Sequence, residues 1–334
     1  LGWWGSGFSG SRMSGINSRH PGAPGPTCWI GWRILRERLP DSFFVDGSMK
    51  RDEAHERIAA LRRDLMHHNR LYYEEAAPEI SDQEYDRLYR ELEGLEQGWP
   101  EFAEADSPTR RVGGEPLDQF ASVRHLVPMQ SLDNTYSEEE VRAFYRRAAR
   151  LLGTDAMPVL IEPKVDGVAV ALLYENGAFV RAATRGDGAT GDDVSRNVLT
   201  IESIPEQLTG KAPERIEIRG EIYLPKKEFA RINQERDEEG LPAFANPRNA
   251  AAGTLKQLDP KMVARRRLAG LFYGFGALEG TPVASQQELL AALASWGLPT
   301  AGKSWLANTP EETIEAIREL DLIRHDFPFE TDGA

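Results

Sequence analysis

An amine and a carboxylate stand two positions apart in Glu162-Pro163-Lys164-Val165-Asp166-Gly167. In extended backbone, residues two apart share a face, so Lys164 and Asp166 would point the same way. The adjacent glycine lets a ligand approach the main chain closely. A lysine becomes a nucleophile when desolvation or nearby positive charge lowers its pKa. Read alone, the Lys-x-Asp-Gly tetrapeptide fits an exposed turn with a surface ion pair better than a nucleophile. Other segments shift that balance. Thr184-Arg185-Gly186-Asp187-Gly188-Ala189-Thr190-Gly191-Asp192-Asp193 sets three glycines around an arginine. This suits a loop that grips phosphate or ribose through a forked guanidinium. A solvated acidic loop is the plainer alternative, and no glutamate closes an EF-hand at its twelfth position. In Glu217-Ile218-Arg219-Gly220-Glu221-Ile222, three charges would share one strand face. That is costly in a core and fits an exposed sheet face or a polar cleft. Phe244-Ala245-Asn246-Pro247-Arg248-Asn249-Ala250-Ala251-Ala252-Gly253-Thr254-Leu255 surrounds an arginine with small residues. It suits either ligand approach or a plain helix start after Pro247.

The elements that must hold these segments are readable from periodicity and punctuation. Ile58, Leu61 and Leu65 have helical spacing among charged residues, and the pattern begins at Lys50. Ser81-Asp82-Gln83-Glu84 has capping-box spacing and opens a second helix with Tyr85, Leu88, Leu92 and Leu95 on its apolar face. A capping box at Ser137 to Glu140 predicts a helix through about Leu152. Strands are then expected at 159–162, 168–174, 179–184, 216–224 and 271–275, with Asn176-Gly177 as a hairpin turn. Helices are expected at about 286–296 and 310–321, the first closed by Gly297. Helices first, then a sheet with interspersed helices, make an α+β protein.

Composition narrows the classes. Of 334 residues, 40% are hydrophobic and 28% charged, as in an ordinary globular chain. No apolar run of about 18 residues exists, so no transmembrane helix is expected. A single cysteine, Cys28, excludes an intrachain disulfide or a cysteine zinc site. Adjacent His67 and His68 would project on different sides of a helix, which disfavours a metal pair there. A net charge of −13 disfavours a simple nucleic-acid binder, so any DNA contact must use a local basic patch or other parts of a longer protein. Residues 1–48 carry four of the seven tryptophans among Gly, Ser and Pro and show no period. They are expected to be upstream translated sequence or a disordered extension.

Taken together, EPKVDG, TRGDG, RGEIYLP and FANPRNAAAG resemble the bacterial NAD⁺-dependent DNA ligase family, in unbroken order from about Met49 to Ala334. The resemblance implies a helical module at 49–118 that grips the nicotinamide mononucleotide (NMN) half of NAD⁺. It implies an antiparallel nucleotidyltransferase (adenylation) domain at 119–334. It makes Lys164 the nucleophile that takes up AMP, with Asp166 supporting it or its metal. Glu162 matches the contact to the adenosine end, and Arg185 and Glu221 match residues that bind ribose or phosphate. Ser131 and Leu132 match an NAD⁺-contacting pair, and Tyr72, Asp82, Tyr85 and Asp86 match the NMN-binding roles. Tyr73 stands where some members have His.

The implied cofactors are NAD⁺ and Mg²⁺, with Asp332 as a metal ligand, and the implied partner is nicked double-stranded DNA. A cytoplasmic monomer without membrane contact is expected. Glu330-Thr331-Asp332-Gly333-Ala334 matches the opening of the family's next motif, whose later lysines, like the OB, zinc, helix-hairpin-helix and BRCT regions, lie outside this sequence. The chain is therefore expected to be a fragment. Two alternatives stay open: a nucleotide-binding fragment without catalysis, and an ATP-dependent nucleotidyltransferase, which leaves the 71–86 segment unexplained.

Overall fold

The computed structural model describes residues 50–73, 79–80, 82–104, 107–109, 120–130, 134–154, 157–280 and 283–334, with only the backbone at 72–73 and 82–83. The expectations for residues 1–48, for the Ser81 cap and for Ser131 and Leu132 fall outside these residues.

The helical module pairs α1 (Arg51–Tyr73) with α2 (Asp82–Gly98). Their expected apolar stripes meet: Ile58, Leu61, Leu65, Leu92 and Leu95 form the buried centre, with Tyr85, Leu88 and Trp99 packed against it. A buried charge pair crosses this interface, Arg62 Nη2 to Glu96 Oε1 at 2.7 Å. Thr109 Oγ1 also donates to Glu96 at 2.5 Å. Arg62 donates as well to the Phe102 carbonyl.

The second region is built on a four-stranded antiparallel sheet. It runs in the order β5 (Ala178–Thr184), β4 (Val168–Glu175), β7 (Arg215–Tyr223), β8 (Ala269–Glu279). The β4–β5 hairpin turns at Asn176 and Gly177, both at positive φ (51° and 80°), as a type I′ turn requires. β8 continues beyond the expected 271–275. Apolar residues of β4 and β7, including Val170, Leu172, Ile216, Ile218 and Ile222, build the core with Leu255, Phe272, Leu289 and Leu293.

Three two-stranded ladders flank the sheet. β1 (Ser122–Arg124) pairs with β6 (Thr190–Asp192), β2 (Val159–Ile161) with β9 (Trp305–Ala307), and β3 (Lys164–Val165) with β10 (Thr331–Gly333). Pro163 lies between β2 and β3, and lacking an N–H it ends one ladder and lets the chain join another.

Three helices use one device at their N-termini. In α3 (Glu138–Leu152), α8 (Gln286–Ser295) and α9 (Pro310–Ile323), Ser137, Ser285 and Thr309 accept from the N–H three residues on. The glutamate at that third position accepts from the residue before the cap: Tyr136, Ala284 and Asn308 each donate to it, at 2.7, 2.9 and 2.7 Å. Capping-box sequences thus became reciprocal caps. Gly153 and Gly297 adopt left-handed φ (67° and 89°) just past two of these helices. The region also contains the short α4 (Ser195–Val198), α5 (Lys226–Glu238), α6 (Pro247–Leu255) and α7 (Pro260–Arg265).

Candidate functional site

Lys164 is positioned by a strand of two residues. β3 is held by β10, with Thr331 opposite Val165 and Gly333 opposite Lys164, and by the Asp166 N–H donating to the Glu330 carbonyl at 2.8 Å. Across this ladder the Lys164 ammonium pairs with the Asp332 carboxylate. The Lys164 side chain is 51% exposed and that of Asp332 24%. Lys164 and Asp166 do not pair with each other. Asp166 accepts from Arg248 Nη1 at 3.0 Å. Arg248 is presented by the first turn of α6, where Asn246 accepts from the Asn249 N–H and Pro247 fills the first helical position. The helix-start reading of that segment is realised, and the start places an arginine against Asp166.

Glu221 is where the charges converge. It lies near the end of β7, opposite Ala169 on β4 and Leu271 on β8. The Tyr273 hydroxyl donates to its Oε1 at 3.0 Å. Desolvation pushes its carboxyl up to about 7, opposed by the nearby charges of Arg248, Arg185 and Lys164 and by the Tyr273 hydrogen bond. Desolvation and the adjoining Glu221 carboxylate raise the Tyr273 phenol well above its ordinary value, although part of the ring reaches solvent. Gly167 matters here because it runs against β7: a Cβ would meet the Ile222 carbonyl at 2.7 Å and the Glu221 Cβ at 3.2 Å. Any side chain at 167 would push the Lys164 strand off the strand that carries Glu221.

Glu162 accepts from Gln286 Nε2 at 2.7 Å, and the same amide donates to the Tyr273 carbonyl at 2.7 Å. Burial raises the Glu162 carboxyl. It lines a cavity of about 250 Å³ with Leu290, Ala291, Ala294 and the 300–304 segment. Tyr273 and Gln286 were not among the expected site residues. Tyr273 stands among apolar neighbours in a strand and Gln286 opens an amphipathic helix, so neither departs from its element's pattern.

The glycine loop after β5 is a tight structure. Gly186 and Gly188 sit at φ 56° and 86°. A Cβ on Gly186 would lie 1.9 Å from the Thr190 carbonyl. Asp187 Oδ1 accepts from the Ala189 and Thr190 N–H groups. These bonds offset its desolvation and hold its carboxyl below the usual range. The Arg185 N–H donates to the Ala169 carbonyl at 3.1 Å, which sets Arg185 beside the sheet position of Glu221.

The charged face of β7 divides. Glu217 and Arg219 are 2% and 5% exposed, because the 122–130 segment covers them. The Leu126 N–H donates to Glu217 Oε2 at 2.8 Å, and Arg219 Nη2 donates to the Val127 carbonyl at 2.6 Å. Only Glu221 stays half-buried, so the expectation of a face left partly open holds for one charge of the three.

In the helical module, Tyr85 packs on the core and donates to Asn69 Oδ1 at 2.7 Å. Asp86 Oδ2 accepts from Asn134 Nδ2 at 2.8 Å and from the Tyr136 hydroxyl. Arg90 donates to the Asn134 carbonyl at 2.8 Å and covers the Tyr136 ring. Desolvation and the Asp86 bond push the Tyr136 phenol up to about 12. Tyr72 and Asp82 lie in α1 and α2, but their side chains are outside the described residues, as are Ser131 and Leu132. The structure thus brings Lys164, Asp166, Glu221, Arg185 and Asp332 into one neighbourhood, with Glu162 joined through Gln286 and Tyr273.

Comparison with known families fits this arrangement. Residues 117–334 match the model of the NAD-dependent DNA ligase adenylation domain, and residues 51–113 match the DNA ligase-like N-terminal NAD+-binding domain. A DNA ligase of Akkermansia muciniphila is 51% identical over 290 residues, covering 85% of this chain and 36% of that protein. A DNA ligase of Trichlorobacter lovleyi is 47% identical over 86% of this chain and 43% of its own length. DNA ligase 1 of Opitutus terrae is 48% identical over 84% and 43%. The chain spans about two fifths of the length of these relatives.

Proposed function

The chain belongs to the NAD-dependent DNA ligase family, and from that premise we propose that Lys164 takes AMP from NAD⁺ and that the whole protein passes it to a nick in duplex DNA. The observation that carries the reading is the meeting of Lys164, paired with Asp332, and of Arg248 and Arg185 around the Glu221 carboxyl. A nucleophile, cations to spread phosphate charge and a carboxyl for a ribose hydroxyl are what an adenylyl transfer needs.

In the reaction the Lys164 Nζ lone pair attacks the adenylyl phosphorus. An N–P bond forms, the pyrophosphate P–O bond breaks, NMN leaves with its electron pair, and the amine loses a proton. Only the uncharged amine has a lone pair to give, so the ion pair with Asp332 has to open before attack. Asp166 holds Arg248 near Glu221 through the 3.0 Å contact. Glu162, lining the 250 Å³ cavity, takes the adenosine end. Arg185 and Glu221 take ribose and phosphate, and Ser131 and Leu132 contact NAD⁺ beside them. Tyr72, Asp82, Tyr85 and Asp86 take the NMN half. The oxygen donors of Asp332 and Glu221 suit a hard cation such as Mg²⁺, and Asp332 would hold it. Such an ion supplies further charge stabilisation for the transferred phosphoryl group.

Intact mass after incubation with NAD⁺ and Mg²⁺ tests the reading. One AMP adduct is expected from NAD⁺, none from ATP, and none in Lys164→Ala. An adduct from ATP would overturn the choice of donor. Saturable NAD⁺ binding without any adduct would leave this chain as a nucleotide-binding unit.

A further inference from the structure

We propose that His67, His68 and Glu79 form a site for a divalent transition-metal ion, separate from the Lys164 cleft. One ligand atom from each residue lies within 4.8 Å of the others. Neighbouring positions on a helix are about 100° apart, which speaks against convergence of adjacent histidines. Here the rings lean together, with centroids 5.3 Å apart. Glu79 approaches from beyond the end of α1, its Oε2 3.6 Å from His67 Nε2.

A surface ion pair between His67 and Glu79 accounts for two of the three residues. It does not account for His68, whose Nδ1 is buried without a hydrogen-bond partner among the described residues. Buried polar atoms are normally satisfied. If Nδ1 is the donor, an ion provides its partner. The ligand atoms of a tetrahedral ion with bonds of about 2.0–2.2 Å lie roughly 3.3–3.6 Å apart. Closing from 4.8 Å takes only side-chain rotation, and the His67 and Glu79 side chains are 47% and 64% exposed.

The donor set defines the class of ion. Two imidazoles and one carboxylate favour Zn²⁺, Co²⁺, Ni²⁺ or Cu²⁺ over Mg²⁺ and Ca²⁺, which take oxygen ligands. Its place defines the consequence. His67 and His68 lie on the last turns of α1, just before Tyr72, and Glu79 lies just before α2, which carries Asp82, Tyr85 and Asp86. An ion held by all three ties the end of one helix to the start of the next, across the stretch proposed to meet the NMN half. The metal site itself does not depend on that functional reading.

The test is a titration of the full chain, without a polyhistidine tag, using Co²⁺ as the probe, followed by chelator competition with Zn²⁺. The expected result is one saturable site with the visible absorption of a low-symmetry Co²⁺ complex, undisturbed by millimolar Mg²⁺. Affinity should fall at least about tenfold in His67→Ala and in Glu79→Gln. Both residues are exposed, so these variants should keep the melting temperature of the metal-free protein. They should also still accept AMP from NAD⁺ and Mg²⁺, which separates this site from the Lys164 chemistry. Co²⁺ binding no tighter than to bulk carboxylates, unchanged affinity in either variant, or loss of the signal on addition of Mg²⁺ would overturn the proposal.

Discussion

Two acid–base pairs belong to the strands of this region, and they have opposite characters. Arg219 and Glu217 have side chains only 6% and 3% exposed, and each also has one hydrogen bond to the main chain of the 122–130 segment. Lys164 and Asp332 are 51% and 24% exposed and meet across a ladder of two and three residues. The residue types are alike and their surroundings decide their roles. A buried pair cannot give up a partner without stranding a charge, so it holds structure. An exposed pair contributes little to stability, so its members can exchange partners during a reaction.

The sharpest way to break this contrast is Lys164→Ala. It should abolish the AMP adduct measured by intact mass while stability in urea changes by no more than about 0.5 kcal/mol. A large loss of stability would make Lys164 a structural residue. Arg219→Met should do the reverse in stability. It leaves the Glu217 carboxylate buried with only the Leu126 N–H, and urea unfolding should report a loss of about 3–5 kcal/mol. A loss under about 1 kcal/mol would mean that the pair is no more structural than the exposed one.

Glu221 lies between the two cases, and pH exposes it. Its folded-state pKa of about 7 is above the ordinary glutamate value of 4.5. Between those values the folded state binds a proton that the unfolded state does not, so stability falls as pH rises from about 4.5 to about 7 and then levels. Urea midpoints across that range should show the slope in the wild type and a clearly smaller one in Glu221→Gln, the rest coming from the Glu162 carboxyl, which burial also raises. An unchanged slope would assign it to another group. The smallest effect is expected for Asn246→Ala, which removes the cap behind Arg248. Stability should drop by about 1 kcal/mol, and the rate of adduct formation should fall further than that loss explains. An unchanged rate would show that Arg248 does not need its helix cap to stay in place.

The sequence carried the local elements well because their causes are local. The hairpin at Asn176-Gly177, the caps at Ser137, Ser285 and Thr309, and the stripes of α1 and α2 depend on residues within a few positions of each other. What lay hidden depends on pairing at a distance. Nothing near Glu217 and Arg219 indicates that residues 126 and 127 cover them. The roles of Tyr273, Gln286 and Tyr136 likewise come from contacts 13 to 124 positions away, or, for Tyr136, from α2 50 positions earlier. The alternation rule placed Lys164 and Asp166 on one side but could not say that their partners would be Asp332 and Arg248.

The pairing of β3 with β10 also has a consequence in time. Lys164 and the aspartate that meets it are 168 positions apart. At roughly 5–20 residues per second, a ribosome needs about 8–35 s to make the intervening chain. Through that interval the hairpin and much of the central sheet can form, while the strand bearing the lysine has no ladder partner. Contacts of such long sequence separation are also the slow ones to close. The Lys164 amine is therefore among the last parts of this region to be set in place, after the scaffold around it has been made.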